Sequence, residues 1–277
     1  MVILDGKATS IKLNHILKEK VKKLENKPRL DIILIGEDPA SNTYVKNKIK
    51  TAEEIGFTVK LNRFNNEVSQ AEIEQFIAKL NQNKDVDGIL LQLPLPKHLD
   101  DESLINLIDY HKDVDGFHTI NQGRLFKKEV TILPATPKGI MMLLTEYQID
   151  VSGMHAVIIG RSQIVGAPIA KMLLDANATV TITHSKTKDL SEIVKQADLI
   201  VAAIGRANFV TSEMVKPGAI VIDVGINRLE GKLVGDVDFE KVKELTSFIT
   251  PVPGGVGPMT ICALGYNLYE IAKGKSK

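Results

Sequence analysis

Short runs of β-branched and aliphatic residues alternate with longer segments of helical period along this chain, and the alternation occurs twice. Parallel strands need a crossover connection, and a helix is the usual one, so this order predicts βαβ units around parallel sheets. The first set has candidate strands at 31–35, 57–61 and 86–92, separated by helical stretches at 41–55 and 69–80. The second opens with a strand at 156–160 and continues at 179–183, 198–204, 219–224 and 247–249. Residues 115–137 between them are rich in Gly, Asn, Thr and Pro and read as a linker. The pattern predicts an α/β protein of two lobes with a cleft between them, an N-terminal lobe over 1–118 and a C-terminal one over 119–258. The last apolar-periodic run, within 259–277, is expected to return to the first lobe as a helix. Lysine-rich residues 12–27 carry Leu13, Ile16, Leu17, Val21 and Leu24 at helical spacing, which predicts an N-terminal helix with a solvated cationic face.

Composition narrows the function classes. A length of 277 residues suits two domains at about 150 residues each. The longest strongly apolar stretch, GILLQLPLP at 88–96, falls well short of the roughly 20 residues that span a bilayer. Asp5 and Lys7 interrupt the start of the chain where a secretory signal would place its apolar run. Lys and Arg total 35 against 34 Asp and Glu, so a net charge of +1 gives no global field to recruit nucleic acid or anionic lipid. One cysteine, Cys262, cannot form an intramolecular disulfide, and the six histidines are scattered without zinc-site spacing. A cytoplasmic protein without a metal, a membrane partner or a nucleic-acid partner is the expectation.

The segment AVIIGRSQIVGAPIAKMLLDANATVTITHSKT reads as strand, glycine turn, helix, strand. A dinucleotide site needs backbone that can approach a pyrophosphate and a helix N-terminus aimed at it, because N–H groups and the helix dipole favour anions there. Gly160 and Gly166 suit those needs, although Ser162 stands where GxGxxG has its middle glycine and one extra residue precedes Gly166. A strand-to-helix turn without a ligand remains an alternative on this spacing alone. NAD sites usually place a carboxylate at the end of the next strand, whereas this chain reads His184, Ser185, Lys186, Thr187. With Arg161 in the first turn, these residues offer a cation and hydroxyl donors for a 2′-phosphate, so charge favours NADP. Gly205 and the run from Asp223 to Asn227 end later strands at the same edge; Asp223 equally fits a turn or cap.

In the first lobe Tyr44 and Lys48 stand four apart on a predicted helix and so share one face. That helix follows a strand, which puts both near the carboxyl edge of the first sheet. Gln92 ends another strand in QLPLP, where Pro94 and Pro96 stop the ladder, and Asp115 follows in KDVDGF. A phenol, an amine, an amide and a carboxylate can thus converge on the cleft, or remain an exposed pair, a turn residue and a cap. The turn PVPGGVGP at 251–258 holds an irregular backbone with little side-chain bulk, which suits a flat ligand against the main chain or a rigid loop alone.

YVxxK, QLPLP, KDVDGF, GRSQIVGAP, DVGIN and TPVPGGVGPMT, in this order across nearly the whole chain, closely resemble the bifunctional methylenetetrahydrofolate dehydrogenase/methenyltetrahydrofolate cyclohydrolase family. One departure is Ala135 in PATP, where the family often has Cys. The resemblance implies a catalytic N-terminal lobe and a Rossmann-like NADP-binding lobe. It implies NADP-dependent oxidation of 5,10-methylenetetrahydrofolate to the methenyl cation and hydrolysis of that cation to 10-formyltetrahydrofolate, both reversible, within one-carbon metabolism and purine biosynthesis. Carried onto this sequence, Lys48 is the central catalytic group, Tyr44 orients and stacks on substrate, Gln92 positions Lys48, and Asp115 grips the pterin. Leu91, Leu93, Pro253, Gly254, Gly255, Val256 and Gly257 would complete the folate site, and Gly160, Arg161, Ser162, Ser185 and Ile226 would contact NADP. The resemblance further implies a homodimer through the cofactor lobe. Two alternatives stay open: a dehydrogenase without the cyclohydrolase step, and a non-catalytic NADP-binding regulator.

Overall fold

A computed structural model describes residues 1–275; residues 276 and 277, at the end of the expected C-terminal helix, lie outside the described residues. Two compact units emerge, one of residues 1–11 and 136–260 and one of residues 12–135 with the chain from 261 onward. The chain opens with strand β1 (Val2–Ile3), in the first of these units, and helix α1 (Gly6–Val21). Helix α1 starts earlier than the lysine pattern predicts because the Asp5 carboxylate accepts the Ala8 N–H at 2.8 Å and so caps its first turn, and Leu24 falls beyond its end.

The second unit is built on three parallel strands, β2 (Arg29–Ile35), β3 (Thr58–Phe64) and β4 (Gly88–Leu91), in the order β3-β2-β4. Alternation along β2 serves two cores: Leu30, Ile32 and Leu34 enter one apolar cluster, and Ile33 and Ile35 enter another with Ile89 and Leu91. Helices α2 (Pro39–Ile55) and α3 (Gln70–Gln82) make the crossovers. Asp38 caps α2 through the Ser41 N–H at 2.7 Å, Pro39 opens it, and Gly56 closes it with φ of +111°. Ser69 and Glu72 form a capping box at the start of α3. Helices α4 (Asp101–Leu107) and α5 (Thr119–Phe126) follow.

Residues 115–137 are therefore not a plain linker. They hold α5 and the start of α6 (Ala135–Glu146), and the compact units divide after residue 135 rather than after 118. The reason lies in hydrogen bonds that composition hides: Asn121 Nδ2 donates to the Tyr110 carbonyl and the Asp113 carboxylate, and the Ala135 backbone N–H donates to the Asp115 carbonyl at 3.1 Å.

The first unit carries β5 (His155–Ile159), α7 (Gly166–Asp175), β6 (Thr179–Thr183), α8 (Leu190–Val194), β7 (Leu199–Ala202), β8 (Ile220–Asp223), a hairpin of β9 (Asn227–Leu229) and β10 (Lys232–Val234), α9 (Phe239–Val242) and β11 (Phe248–Ile249). Six of its strands form one parallel sheet in the order β1-β11-β8-β7-β5-β6. The residues of β1 belong here rather than with the lobe over 1–118, because Val2 and Ile3 pair with Phe248 and Ile249. The last helix, α10 (Val256–Lys275), gives Leu264, Leu268 and Ile271 to the core of the three-stranded unit.

Candidate active site

The carboxyl edge of the three-stranded sheet gathers the first group of candidate residues. Helix α2 carries Lys48, 4% exposed, with its Nζ 4.8 Å from the centre of the half-buried Tyr44 ring. Gln92 comes just past β4, held by its N–H on the Ile33 carbonyl at 2.9 Å. Its Nε2 donates to the Leu93 carbonyl, which leaves Oε1 to accept from Lys48 Nζ at 3.1 Å. The amide orientation follows from this network. Burial pushes the Lys48 amine below the usual lysine range, and the Asp115 carboxylate partly restores it. Asp115 is half-buried; burial raises its carboxyl and the Lys48 charge lowers it. An amine whose proton is held less tightly than usual, locked on an amide and facing a carboxylate, can relay a proton at a water-poor site.

Asp115 is held by residues that the sequence pattern did not single out. The Asp113 carboxylate accepts the Gly116 N–H at 3.0 Å, the His118 N–H at 2.8 Å and Asn121 Nδ2 at 3.0 Å. Gly116 has φ of +72°, and a Cβ there would lie 2.6 Å from the Leu133 carbonyl carbon, so only glycine fits. From α10, Asn267 Nδ2 donates to the Val114 and Leu133 carbonyls, both at 2.8 Å. Ala135, at the position where Cys was expected, is 1% exposed and lies in the core cluster. The side chain of Leu91 is likewise buried in a core cluster, and Leu93 is half-buried at the edge.

The six-stranded unit holds the second group. Gly160 follows β5 with φ of +117°, and a Cβ on it would collide with the Ala203 carbonyl; a Cβ on Gly166 would collide with the Gly160 carbonyl. Ser162 is more than a replacement for glycine: its Oγ accepts the N–H groups of Val165 at 3.2 Å and Gly166 at 3.3 Å, and so caps α7. Arg161, Ser185 and Lys186 are exposed. The turn after β6 is closed by the His184 N–H on Thr187 Oγ1 at 2.9 Å and the Lys186 N–H on His184 Nδ1 at 3.2 Å. Ile226, just past β8, is 61% exposed. Pro253, Gly254, Gly255, Val256 and Gly257 lie in this unit between β11 and the first turn of α10, and the Gly254 carbonyl accepts the Lys7 N–H at 2.8 Å. Among the described residues no group of three His, Cys, Asp or Glu side chains could hold a metal ion, and no helix is long and apolar enough to cross a membrane.

The sequence profile of the tetrahydrofolate dehydrogenase/cyclohydrolase catalytic domain matches residues 4–115, and the profile of that family's NAD(P)-binding domain matches residues 134–276. The chain belongs to this family. The bifunctional protein FolD of Acholeplasma laidlawii is 62% identical over 270 residues, which cover 98% of each chain. The crystal structure of the bifunctional FolD methylenetetrahydrofolate dehydrogenase/cyclohydrolase from Campylobacter jejuni is 52% identical, with a TM-score of 0.97 over 99% of both chains. The Trypanosoma brucei methylenetetrahydrofolate dehydrogenase-cyclohydrolase, solved with NADP and an inhibitor, is 34% identical, with a TM-score of 0.95 over 100% of this chain and 99% of that one. Family membership makes the three-stranded unit, with Lys48, the core of the catalytic domain and the six-stranded sheet the core of the NAD(P)-binding domain. The two-domain α/β architecture expected from the alternating pattern is that of the family.

Proposed function

We propose that this chain oxidises 5,10-methylenetetrahydrofolate with NADP to the 5,10-methenyl cation and hydrolyses that cation to 10-formyltetrahydrofolate, both steps being reversible. The observation that carries this reading is the buried Lys48 amine on Gln92 Oε1 at 3.1 Å, in a chain of this family. NADP, when bound, supplies the acceptor for the hydride that leaves the methylene carbon. The protein's part in that step is orientation. In hydrolysis, water adds to the methenyl carbon, and neutral Lys48 takes the proton that the water gives up. The protonated amine then returns a proton to N5 as the C–N5 bond breaks and the hydroxyl proton passes to solvent, leaving the formyl group on N10. Burial supports this role because it brings the neutral amine within reach at lower pH. Gln92 keeps Nζ aimed, the Tyr44 ring offers a face for the pterin, and Asp115 can accept two adjacent pterin N–H groups side by side.

The residues present fit NADP. Glycines 160 and 166 leave backbone free of side-chain bulk at the start of α7, and residues 184–187, just past β6, carry no carboxylate. Exposed Arg161 and Ser185 provide a charge and a donor for a 2′-phosphate, Ser162 shapes the turn, and Ile226 offers an apolar surface. The reading includes a cytoplasmic homodimer joined through the nucleotide unit, supported by edge strand β6 with Ile182 44% exposed and neighbouring Leu174 56% exposed; light scattering tests it.

The test of function is the absorbance of the methenyl species, formed from methylenetetrahydrofolate with NADP or NAD and then supplied directly as substrate. NADP-dependent formation together with enzyme-accelerated decay is the expected result. Formation without accelerated decay would leave a dehydrogenase alone, and neither, in folded protein, would favour a regulator.

A further inference from the structure

Two buried carboxylates in the nucleotide unit join loops that the site described above leaves without a support. Asp223 ends β8 and Asp236 follows β10, at 3% and 0% exposure. Asp236 Oδ2 accepts the N–H groups of Ile204 at 2.7 Å and Gly205 at 3.0 Å. Its Oδ1 accepts the Arg206 N–H at 2.7 Å and Asn227 Nδ2 at 3.0 Å. Behind it, Asp223 Oδ1 accepts the N–H groups of Gly225 at 3.0 Å and Asp236 at 2.9 Å, and Oδ2 accepts that of Val237 at 3.0 Å. Two glycines make room for this arrangement: a Cβ on Gly225 would collide with the Asp236 carboxylate, and one on Gly235 with that of Asp223. Burying two carboxylates side by side is costly unless donors saturate them, and here each oxygen is used.

The loops so joined are the ones after β7 and β8. Strands β6 and β7 flank β5 on opposite sides, so the order of strand addition reverses at β5, and ligands of open α/β sheets bind at the carboxyl ends beside such a reversal. The turn after β5 suits the pyrophosphate and the turn after β6 the adenosine ribose, which leaves the loops after β7 and β8 for the nicotinamide half. We propose that Asp236, braced by Asp223, is a positioning residue for the nicotinamide half of NADP, holding the Gly205 and Ile226 loops in one register. The proposal rests on the NADP reading above.

The test is Asp236→Asn. Both oxygens of Asp236 face donors, so an amide in either orientation turns its NH2 onto two of them and releases a loop. The fluorescence change of NADPH on binding reports the surroundings of the dihydronicotinamide ring, and this signature is expected to be lost. Affinity for 2′-phospho-ADP-ribose, which lacks nicotinamide, should stay within about twofold, while NADP-dependent oxidation falls by ~10–100-fold, the scale of a small misplacement. Hydrolysis of methenyltetrahydrofolate supplied directly, without NADP, should match the wild type. Asn227→Ala deletes one donor and leaves the backbone bonds; it should give a smaller loss of the same kind and serves if the first variant fails to fold. Equal losses for NADPH and the fragment, or an unchanged NADPH signature, would overturn the proposal. Absence of NADP-dependent oxidation in the wild type would instead sink the functional reading.

Discussion

A lysine at 4% exposure beside an amide oxygen is costly to keep charged, and that cost is its use. Lys48→Met keeps the apolar stem and removes the amine, so hydrolysis of methenyltetrahydrofolate should fall by ~10²–10⁴-fold, the usual worth of a positioned acid or base. NADP affinity, set in the other unit, should stay within about twofold of the wild type. Retained hydrolysis in that variant would remove Lys48 from the chemistry. In the wild type, hydrolysis should rise with pH to a half-point below the usual 10.5 of lysine, because burial outweighs the Asp115 charge. Asp223 makes the opposite kind of statement. Burial, with Asp236 adding to it, raises its carboxyl from 3.8 to about 6 against the pull of its N–H donors. The folded state thus binds the proton more tightly, so this group's stabilising contribution is complete below pH 3.8 and is lost as pH rises through about 6. The shift corresponds to a loss on the order of 3 kcal/mol. Asp223→Asn cannot titrate, so the stability gap between wild type and variant should narrow from pH 4.5 to pH 7 in urea unfolding; a gap independent of pH would clear Asp223. Of these groups, Lys48, Tyr44 and Gln92 were legible from spacing and strand ends. Asp113, Asn267 and Asp236 were not: Asn267 and Asp236 bond mainly to backbone groups of distant segments, and Asp113 bonds within a turn whose composition reads as linker, so none of them leaves a pattern in the sequence.

Elements declared themselves when their side chains carried a period. The expected strand at 179–183 is the observed one, and the other main strands of both sheets differ from expectation by a few residues at their ends. Two-residue β1 has no period to read and exists through its pairing with β11. Helix α5 was hidden by a composition that resembles a linker, and hairpin β9–β10 by strands of only three residues each, too short to show a period. Terminal carbonyls explain another silent residue. Lys112, 6% exposed, donates Nζ to the carbonyls of Leu80 at 3.0 Å, Asn81 at 2.7 Å and Asn83 at 2.8 Å, closing the end of α3 just ahead of the Asp115 turn. Lys112→Met leaves those carbonyls poorly satisfied, and the expected destabilisation is about 2–3 kcal/mol by urea unfolding. Since the same lysine holds the chain entering the Asp115 turn, KM for the folate should rise more than kcat falls. A variant of wild-type stability and KM would show that water closes α3 as well as the lysine does.

At the scale of the whole molecule the sequence order misleads, because neither unit is continuous. The chain enters the nucleotide unit for residues 1–11, leaves it for 12–135, returns for 136–260 and ends in the catalytic unit. No local composition records such weaving, since it depends on which core an element fills rather than on what the element is made of. The consequence for folding is direct. Leu264, Leu268 and Ile271 are buried in the catalytic core at 3%, 0% and 8% exposure, and at about 2 kcal/mol for each such side chain they contribute about 6 kcal/mol. Removing them also strips the Val114 and Leu133 carbonyls of the Asn267 amide. Against a net stability of roughly 5–15 kcal/mol for a domain, that loss is decisive. A fragment of residues 1–135, although it holds Tyr44, Lys48, Gln92 and Asp115, should therefore lack fixed side-chain packing, with weak near-ultraviolet circular dichroism, poor amide dispersion in NMR and no hydrolysis of methenyltetrahydrofolate. A fragment that is well dispersed and unfolds cooperatively would show that the three-stranded sheet carries its core without α10, and the assignment of that helix to the catalytic unit's stability would fall with it.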